Sequence, residues 1–323
     1  MIPLRSPEEA RRPTAIALGS FDGLHQGHRR VIAAVAQPAD PDSETAVPTV
    51  VSFWPHPREV LHGETRLRLD LPEEKLELLE PLGIRQLVLV PFTPELATLS
   101  PETFIEQVIV GQLQGHQVAV GENFRFGRDR CGTAQTLREL GTRFGLKVSV
   151  LPMLWNGSER VSSSRIRRAL AAGEIGEASR LLERPYRFRG TVVRGRGLGR
   201  QLGWPTANLQ VDGRKFLPLE GVYAARVWLD EAAAPAAARP AVMNLGPQPT
   251  VDPEAASAVE VHLLDGHHDL VGRPLCVEPL ALLRRQERFD GLESLRLQIG
   301  RDAEEALRRF EDGGCLSSPD RRG

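Results

Sequence analysis

Residues 14–32 read TAIALGSFDGLHQGHRRVI, and this stretch decides the fold of the first half of the chain. The apolar residues 15–18 predict a strand that ends at Gly19, and His25 and His28 fall where a helix would begin. The turn between strand and helix contains Phe21, Asp22 and Gly23. A strand, a glycine-containing loop and a helix start present backbone N–H groups and the positive end of a helix dipole to an anion. The stretch therefore predicts a site for nucleotide phosphates.

Strands and helices alternate from this stretch to about residue 151. Further strands are predicted over residues 49–53, 86–90, 117–120 and 147–151, and helices over residues 72–82, 101–112 and 134–144. This alternation predicts a Rossmann-like α/β domain whose parallel sheet is covered by helices on both faces. Ligands of such sheets bind beyond the carboxyl ends of the strands, so the residues just after each strand are the candidates for a site.

The pattern changes near Pro185, where strands begin to predominate. Two helices precede this point, at residues 165–172 and 175–182, and six strands are predicted over residues 186–194, 206–211, 222–229, 241–244, 259–264 and 275–282. A small closed antiparallel β-barrel is the economical arrangement, with a surface loop at residues 231–239 and a closing amphipathic helix at residues 291–310. The sequence thus predicts domains over residues 1–184 and 185–311 and a disordered tail over residues 312–323.

The composition is that of an ordinary soluble globular protein. Its 323 residues suggest two domains, and a formal net charge of -1 gives no long-range attraction to nucleic acid or to a membrane. Of 41 basic residues only Lys75, Lys147 and Lys215 are lysines, so 38 are arginines and no Gly-Lys-Ser/Thr phosphate loop occurs. Three dispersed cysteines and the lack of a signal peptide predict a cytoplasmic protein. The oligomeric state stays open, with a weak homo-oligomer as the expectation.

Polar segments that follow the predicted strands supply further candidates. His56 lies between two prolines and either caps a rigid turn or contributes to a site. Asn123 follows a strand and a glycine, and its amide suits a metal-bound water or a phosphate oxygen. Residues 162–164 are serines that precede a helix. They either cap this helix or, with Arg160 and Arg167 beside them, hold a triphosphate.

The run GRGLGRQLGWPTAN at residues 195–208 is the informative part of the predicted barrel. Its glycines permit a nest of backbone N–H groups around an anion without a lysine, although a mobile hairpin is the alternative. Thr206 and Asn208 are two residues apart on a strand, so both project to one face and can share a cation. Glu260, taken alone, would be a solvent-facing residue of its strand.

Residues 19–28, GSFDGLHQGH, resemble the HxGH signature of nucleotidyltransferases in the form it takes in prokaryotic bifunctional riboflavin kinase/FMN adenylyltransferases (FAD synthetases). GENFRFGRDRCGT at residues 121–133, the SST-x-x-R-like segment at residues 162–167, PTAN at residues 205–208 and VEVHLLD at residues 259–265 are similar to further motifs of that family, in the same order. The resemblance covers about residues 14–310. It implies that riboflavin is phosphorylated to FMN and FMN adenylylated to FAD, with ATP as co-substrate and Mg²⁺ as cofactor.

The resemblance also implies a role for each matched residue. Glu260 would be the general base of the kinase, and His25, His28, Asn123 and Arg160 would act in adenylyl transfer, with the histidines as electrostatic stabilisers rather than metal ligands. Thr206 and Asn208 would hold Mg²⁺. Flavin would be bound by Phe124, Arg125, Phe126 and Arg284. ATP would be bound by Gly19, Phe21, Asp22, Gly23, Ser163, Ser164, Arg167, Gly195, Gly197, Gly199, Gly203 and Pro205.

The sequence departs from the family pattern at a few positions. Serine replaces threonine at Ser164, tryptophan replaces phenylalanine at Trp204, Val271 stands where tyrosine is common, and Gln286 stands where glutamate is expected. Two other functions remain open from the residues alone. One is a single-activity adenylyl- or cytidylyltransferase whose barrel binds a regulator. The other is a nucleic-acid-binding protein, since small barrels bind oligonucleotides, although the near-zero net charge weighs against it.

Overall fold

The computed structural model describes residues 1–36, 46–63, 65–195, 199, 203–229, 237–246, 259–266 and 268–314. Within these residues the chain forms two compact units that divide between Arg165 and Ile166. None of the helices in the described parts is long and apolar enough to cross a membrane. The domain boundary predicted near Pro185 stays a prediction, and the predicted tail lies outside the described residues from residue 315 onward.

The first unit contains a six-stranded sheet in which every pair of neighbouring strands is parallel. The strands of this sheet are β1 (Leu4–Arg5), β2 (Thr14–Leu18), β3 (Val47–Trp54), β4 (Gln86–Pro91), β5 (Gly115–Gly121) and β8 (Lys147–Leu151). Two further strands, β6 (Arg125–Phe126) and β7 (Gly132–Thr133), form a separate short hairpin. The order is β1-β4-β3-β2-β5-β8. The chain proceeds from β2 to one side of the sheet and then returns to β5 on the other, so the topological switch point lies between β2 and β5.

Helices cover both faces of this sheet and enclose two apolar cores. They are α1 (Gln26–Ala36), α2 (Pro57–His62), α3 (Pro72–Leu79), α4 (Pro94–Thr98), α5 (Pro101–Phe104) and α6 (Ala134–Arg143). The helix predicted over residues 72–82 ends at Leu79 and continues as a 3-10 turn, since Pro81 lacks the N–H that an α-helix would use. The helix predicted over residues 101–112 is α5 followed by a π-helix over Ile105–Gln112.

The second unit contains a closed barrel that confirms all six predicted strands. Four elements precede the barrel in the chain. They are the two strands of a short ribbon, β9 (Trp155–Asn156) and β10 (Glu159–Arg160), and the helices α7 (Ser163–Ala171) and α8 (Ile175–Leu182). The barrel strands are β11 (Phe188–Val193), β12 (Ala207–Val211), β13 (Gly221–Trp228), β14 (Arg239–Leu245), β15 (Val259–Leu263) and β16 (Pro274–Arg284). They close antiparallel in the order β11-β12-β15-β14-β13-β16.

The C-terminal helix α9 (Leu292–Gly314) packs on the outer face of this barrel. Its Ala303 and Ala306 are buried against Val222, Ala224 and Val242. Small residues on the helix permit this close approach, so α9 covers β13, β14 and β16 and leaves the outer face of β12 and β15 beside it.

Candidate active sites

The loop that follows β2 has an unusual backbone conformation. Phe21 (φ 45°), Gly23 (φ 91°) and Leu24 (φ 42°) are left-handed, and the side chains of Phe21 and Leu24 are buried. Left-handed conformations of bulky residues cost free energy and persist only where the surroundings hold them. The Asp22 carboxylate, 4% exposed, accepts the backbone N–H groups of Leu69 (2.9 Å) and Asp70 (3.3 Å). Asp22 therefore holds this loop, whatever it contributes to ATP binding.

The two histidines of the loop lie together at the start of α1. Their rings stack with centroids 3.7 Å apart and planes 19° from parallel, and the Phe21 ring meets His28 edge-on at 5.3 Å. The backbone N–H of His28 donates to Nδ1 of His25 (3.4 Å), so His25 caps α1 and carries its proton on Nε2. A Cβ at Gly27 would lie 3.2 Å from the His25 ring, which explains the glycine between the histidines.

Both imidazoles are neutral near pH 7. Burial, assisted by Arg160 and opposed by Asp22 and Asp70, lowers the pKa of His25 to about 4. Burial and the neighbouring His25, Lys75 and Arg160 hold the pKa of His28 well below its usual value. Nδ1 of His28 is buried and has no hydrogen-bond partner in the part of the chain that the structure describes. The pair can thus donate N–H groups to an oxyanion without being ionised beforehand.

Asn123 and Phe124 lie in the turn after β5, and Arg125 is the first residue of β6. The carboxyl ends of parallel strands lie at the same edge of a sheet. The loop after β2 and the turn after β5 therefore lie on either side of the switch point. Asn123 is exposed, with its Oδ1 3.2 Å from where a Cβ of Gly121 would stand. Phe124 is half-buried and stacks on Phe126 at 5.6 Å. Phe126 itself is a core residue, 6% exposed, and its predicted contact with flavin stays untested.

Arg160 and the serines before α7 complete this region of the first unit. Ser162 Oγ accepts the backbone N–H of Arg165 (3.3 Å), which confirms that this serine caps α7. The Ser163 hydroxyl instead donates to the Asp22 carbonyl (2.7 Å) and so connects the serine segment to the loop after β2. Ser164 lies in the first turn of α7. Arg160 is half-buried, with Nη1 3.0 Å from the Met153 sulfur.

Two other candidates have local partners. Arg167 belongs to the second unit, where its guanidinium lies over the Phe216 ring at 5.9 Å. His56 caps α2: Nδ1 accepts the Arg58 N–H (3.2 Å), and Glu59 accepts the His56 N–H (2.7 Å). The capping interpretation of His56 is therefore confirmed.

A second group of polar residues lies on the outer face of the barrel. Asn208 on β12 is directly opposite Glu260 on β15, and Glu260 is opposite Asn244 on β14. Residues opposite one another in antiparallel strands project to the same face. The amide of Gln286 donates to Asn244 Oδ1 (2.7 Å) and to the Leu245 carbonyl (3.0 Å). Glu260 thus lies in a row of amides and is half-buried rather than solvent-facing.

The glycines of the loop before β12 leave room for these side chains. A Cβ on Gly195 would stand 1.9 Å from Nδ2 of Asn208, and one on Gly199 would stand 2.4 Å from the Trp204 carbonyl and 3.1 Å from Oγ1 of Thr206. Gly203 has a φ of 83°, which favours glycine. Gly197 lies outside the described residues. The close approach at Gly195 and Gly199 is a packing requirement that adds to the predicted phosphate nest.

His262 was missed by the sequence reasoning, although its motif was recognised. It follows Glu260 by two residues and therefore shares its face of β15. Its Nδ1 lies 2.7 Å from the Pro205 carbonyl, which can only accept, so Nδ1 carries the proton. The Trp204 ring packs edge-on against His262 at 5.2 Å. His262 thus fixes the backbone just before Thr206. Its position two residues after Glu260 on one strand could have indicated from the sequence that it lies on the same face as the predicted base.

Arg284 is engaged by the C-terminal helix. Its guanidinium pairs with the Asp302 carboxylate at 2.9 Å, with Asp302 5% exposed, and lies over the Phe289 ring at 5.4 Å. Asp302 also accepts from Gln298 (2.9 Å). Val271, one of the three departures from the family pattern in this unit, is 54% exposed. The predicted contact of Arg284 with flavin stays a prediction, and its visible partner is Asp302.

The residues around Glu260 fit a magnesium ion. Thr206 and Asn208 supply a hydroxyl and an amide oxygen, the hard donors that Mg²⁺ prefers, and a carboxylate lies opposite Asn208. A Cβ at residue 195 would stand 1.9 Å from Nδ2 of Asn208, so the glycine allows this amide to keep its place opposite Glu260. Among the described residues no cluster of three or more His, Cys, Asp or Glu side chains forms a closed metal cage. An open site of this kind would share its ion with substrate phosphates.

Two family models match the chain, one for each unit. The FAD synthetase model matches residues 7–165 and the riboflavin kinase model residues 182–310. A bifunctional riboflavin kinase/FMN adenylyltransferase of Pseudomonas fluorescens is 37% identical over 293 residues, which are 90% of this chain and 91% of the relative. The protein of the same description from Bacillus subtilis (strain 168) is 35% identical over 312 residues, 94% of this chain and 95% of the relative.

The fold is also that of a solved structure over nearly its full length. A crystal structure described as a macrolide-efflux protein from Streptococcus pneumoniae matches with a TM-score of 0.81 and 28% sequence identity, covering 95% of this chain and 98% of that one. The description applies to the S. pneumoniae protein, and the likeness supports the two-unit fold. Together with the two family models and the relatives, it leads to one conclusion. The chain belongs to the family of bifunctional riboflavin kinase/FMN adenylyltransferases.

Proposed function

We propose that the two activities are divided between the two units. The barrel phosphorylates riboflavin at Glu260, and the parallel-sheet unit adenylylates FMN at the stacked histidines. The observation that carries the assignment is the register of β12, β15 and β14, which places Glu260 between Asn208 and Asn244. This arrangement gives the kinase a general base next to a cation site, whereas the adenylyl transfer proposed for the histidine pair needs no general base.

In the kinase reaction Glu260 is the general base. It accepts the proton of the 5′-hydroxyl of riboflavin while that oxygen forms a bond to the γ-phosphorus of ATP and the bond to ADP breaks, which gives FMN. Thr206 and Asn208 would hold Mg²⁺, which neutralises charge on the phosphates. The Nδ1–H of His262 donates to the Pro205 carbonyl (2.7 Å). This hydrogen bond keeps the neighbouring Thr206 in place.

A cleft beside this row is the candidate for the flavin ring. It has a volume of about 470 Å³ and is lined in part by Leu217, Leu219, Leu245, Arg285 and Gln286. Such a size, with leucines beside polar and charged side chains, suits a flat aromatic ligand that also carries polar groups. Gln286 joins the cleft to Asn244 and hence to the row that contains Glu260. Riboflavin seated there would direct its ribityl chain toward the base.

In the adenylylation reaction no general base is needed. The FMN phosphate, largely dianionic because its second pKa is about 6, forms a bond to the α-phosphorus of ATP as the bond to pyrophosphate breaks. Charge builds on the α-phosphate and on the leaving group, and donors placed in advance stabilise it. Nε2–H of His25, the His28 ring, Arg160 and Asn123 at the switch point supply such donors.

The remaining expectations extend this proposal. Mg²⁺ serves the kinase through Thr206 and Asn208, and the enzyme works in the cytoplasm, which the free cysteines Cys131 and Cys276 support. The enzyme acts on riboflavin, FMN and ATP, and a weak homo-oligomer remains the expectation for its assembly.

The experiment is a time course with riboflavin, ATP and Mg²⁺, in which flavins are separated by chromatography. Wild type should form FMN and then FAD. Glu260→Gln should lower FMN formation at least about 10²-fold while added FMN is still adenylylated. His28→Ala should show the reverse, with adenylylation reduced about 10²-fold and FMN formation intact. A loss of both activities in either folded variant would contradict the division between the units.

A further inference from the structure

Lys75 is a buried charged residue that the mechanism above does not use. It lies in α3 and is 8% exposed, and its Nζ donates to the Ser20 carbonyl at 3.0 Å. In a chain with 38 arginines and three lysines, Lys75 and Lys215 are buried and Lys147 is exposed. Lys75 reaches the Ser20 carbonyl with one compact ammonium on a flexible stem, a contact that a planar, forked guanidinium does not reproduce.

The carbonyl that Lys75 holds lies at the entrance to the strained loop. Ser20 directly precedes Phe21, the first of the left-handed residues, and the Ser52 hydroxyl lies 3.4 Å from the same carbonyl. The backbone N–H groups of Leu69 and Asp70 hold the Asp22 carboxylate a few residues further along. Residues 69–75 therefore hold the loop at two points, and Lys75 is the only lysine among them.

Lys75 also contributes to the charge around the histidines. His28 is influenced by His25, Lys75 and Arg160, and the positive charge of Lys75 favours the neutral form of His28 and lowers its pKa. His25 faces Arg160, Asp22 and Asp70. Because both imidazoles are neutral, Lys75 and Arg160 supply the positive charge that acts on this pair.

We propose that Lys75 is a positioning residue for FMN adenylylation, which holds the loop after β2 in its left-handed conformation and places a positive charge beside His28. The proposal rests on the proposed function of the first unit. Lys75 acts through the Ser20 carbonyl and the histidines and does not contact the reacting atoms. Since a misplacement of about 1 Å can cost about 10²-fold in rate, loss of this contact should be visible in the adenylylation kinetics.

The test compares Lys75→Met with Lys147→Met in the full-length enzyme. Lys75→Met keeps the length of the side chain and removes the charge and the donor, and Lys147 is the matched exposed lysine. We expect kcat/KM for FMN adenylylation to fall about 10²-fold in Lys75→Met and to change less than about twofold in Lys147→Met. Riboflavin phosphorylation by the second unit should stay within about twofold in both variants, which shows that the loss is confined to the first unit. Adenylylation by Lys75→Met within twofold of wild type would overturn the proposal.

The titration of His28, followed by NMR, separates positioning from a general loss of stability. Lys75→Met should raise the pKa of His28, because a neighbouring positive charge is removed, whereas Lys75→Arg should keep it low. Lys75→Arg should adenylylate FMN about tenfold more slowly than wild type, since a guanidinium does not reproduce the contact with Ser20. If Lys75→Met does not fold, Lys75→Arg decides: unchanged adenylylation overturns the proposal, and a selective loss supports it. A wild-type enzyme that makes no FAD from FMN would contradict the proposed function instead.

Discussion

The His25 side chain is 6% exposed, and its lowered pKa makes the stability of the first unit depend on pH. The pKa is about 4 in the folded chain and 6.5 in the unfolded reference, so the unfolded state binds more protons between these values. Stability from this group is present above about pH 6.5, declines as the pH falls toward 4, and changes little below that. The full effect is roughly 3 kcal/mol at about 1.4 kcal/mol per pKa unit.

We therefore expect His25→Gln to lose less unfolding free energy than wild type between pH 7 and pH 4.5. Urea unfolding would be followed through Trp54 and Trp155 of the first unit, in a background with Trp204→Phe and Trp228→Phe. The comparison concerns the change with pH, because the substitution also alters the cap of α1. His116→Gln, at an exposed position of β5, is the control and should behave as wild type. Equal pH dependence of the His25 variant and wild type would contradict the assignment.

Individual residues show where sequence reasoning is sufficient and where it is not. The spacing of His25 and His28 after an apolar strand predicted that both lie at a helix start, and they do. That Asp22 binds ATP stays a prediction, and the pattern gave no sign that its carboxylate also accepts from Leu69 and Asp70, almost fifty residues away in sequence. Lys75 reaches Ser20 over a similar separation. Such long-range contacts depend on the folded path of the chain, and no local pattern encodes them.

The loop before β12 yields a prediction at the level of an element. Because a Cβ at residue 195 would stand 1.9 Å from Nδ2 of Asn208, Gly195→Ala should displace that amide from its place opposite Glu260. We expect riboflavin phosphorylation to need several-fold more Mg²⁺ and its kcat to fall about tenfold, while FMN adenylylation is unchanged. Gly176→Ala is the matched control, since its added Cβ would meet no described group outside its own helix backbone and chain neighbours within 4 Å. An unaltered Mg²⁺ dependence would show that Asn208 does not help to hold the ion.

The C-terminal helix depends on a buried ion pair. Asp302 and Arg284 have side chains that are 5% and 14% exposed, and removal of one partner leaves the other charge buried. Asp302→Ala should therefore destabilise the second unit by about 3 kcal/mol, measured by urea unfolding through Trp204 and Trp228. Glu304→Ala, at an exposed position of the same helix, should cost less than about 0.5 kcal/mol. Similar losses for both variants would mean that the pair does not anchor the helix.

Elements were predicted from sequence where their periodicity was strong. The strand at Lys147–Leu151 and the helix at Ile175–Leu182 have the predicted bounds. The strand Leu4–Arg5 was missed, because two residues at a sheet edge carry no periodic signal. The π-helix at Ile105–Gln112 was predicted as part of an ordinary helix, since an apolar run does not distinguish the two hydrogen-bond patterns. Among the barrel strands, β15 shows the alternation of inward apolar and outward polar residues that predicts a strand, whereas β13 is apolar along most of its length.

The division of the whole molecule decides which fragment can fold alone. The helices α7 and α8 precede the boundary predicted at Pro185, yet from Ile166 onward the chain is compact with the barrel. The Leu219 N–H donates to the Leu170 carbonyl (2.9 Å), and Gly173 approaches Leu282 so closely that a Cβ would lie 2.8 Å from it. Ile175, Ala178, Leu181 and Leu182 are buried on α8. Each buried leucine or isoleucine stabilises by about 1.5–3 kcal/mol, so the two helices contribute several kcal/mol.

We accordingly expect a fragment of residues 162–314 to fold cooperatively and to phosphorylate riboflavin, and a fragment of residues 185–314 to be several kcal/mol less stable. The shorter fragment uncovers the apolar surface around Leu219 and Leu282, so it should also aggregate and bind an apolar dye more strongly. Urea unfolding through Trp204 and Trp228, together with the rate of FMN formation, measures both effects. Neither fragment should adenylylate FMN, because both lack the loop after β2. A fragment of residues 185–314 as stable and active as the longer one would instead establish Pro185 as the start of the kinase domain, with α7 and α8 dispensable to it.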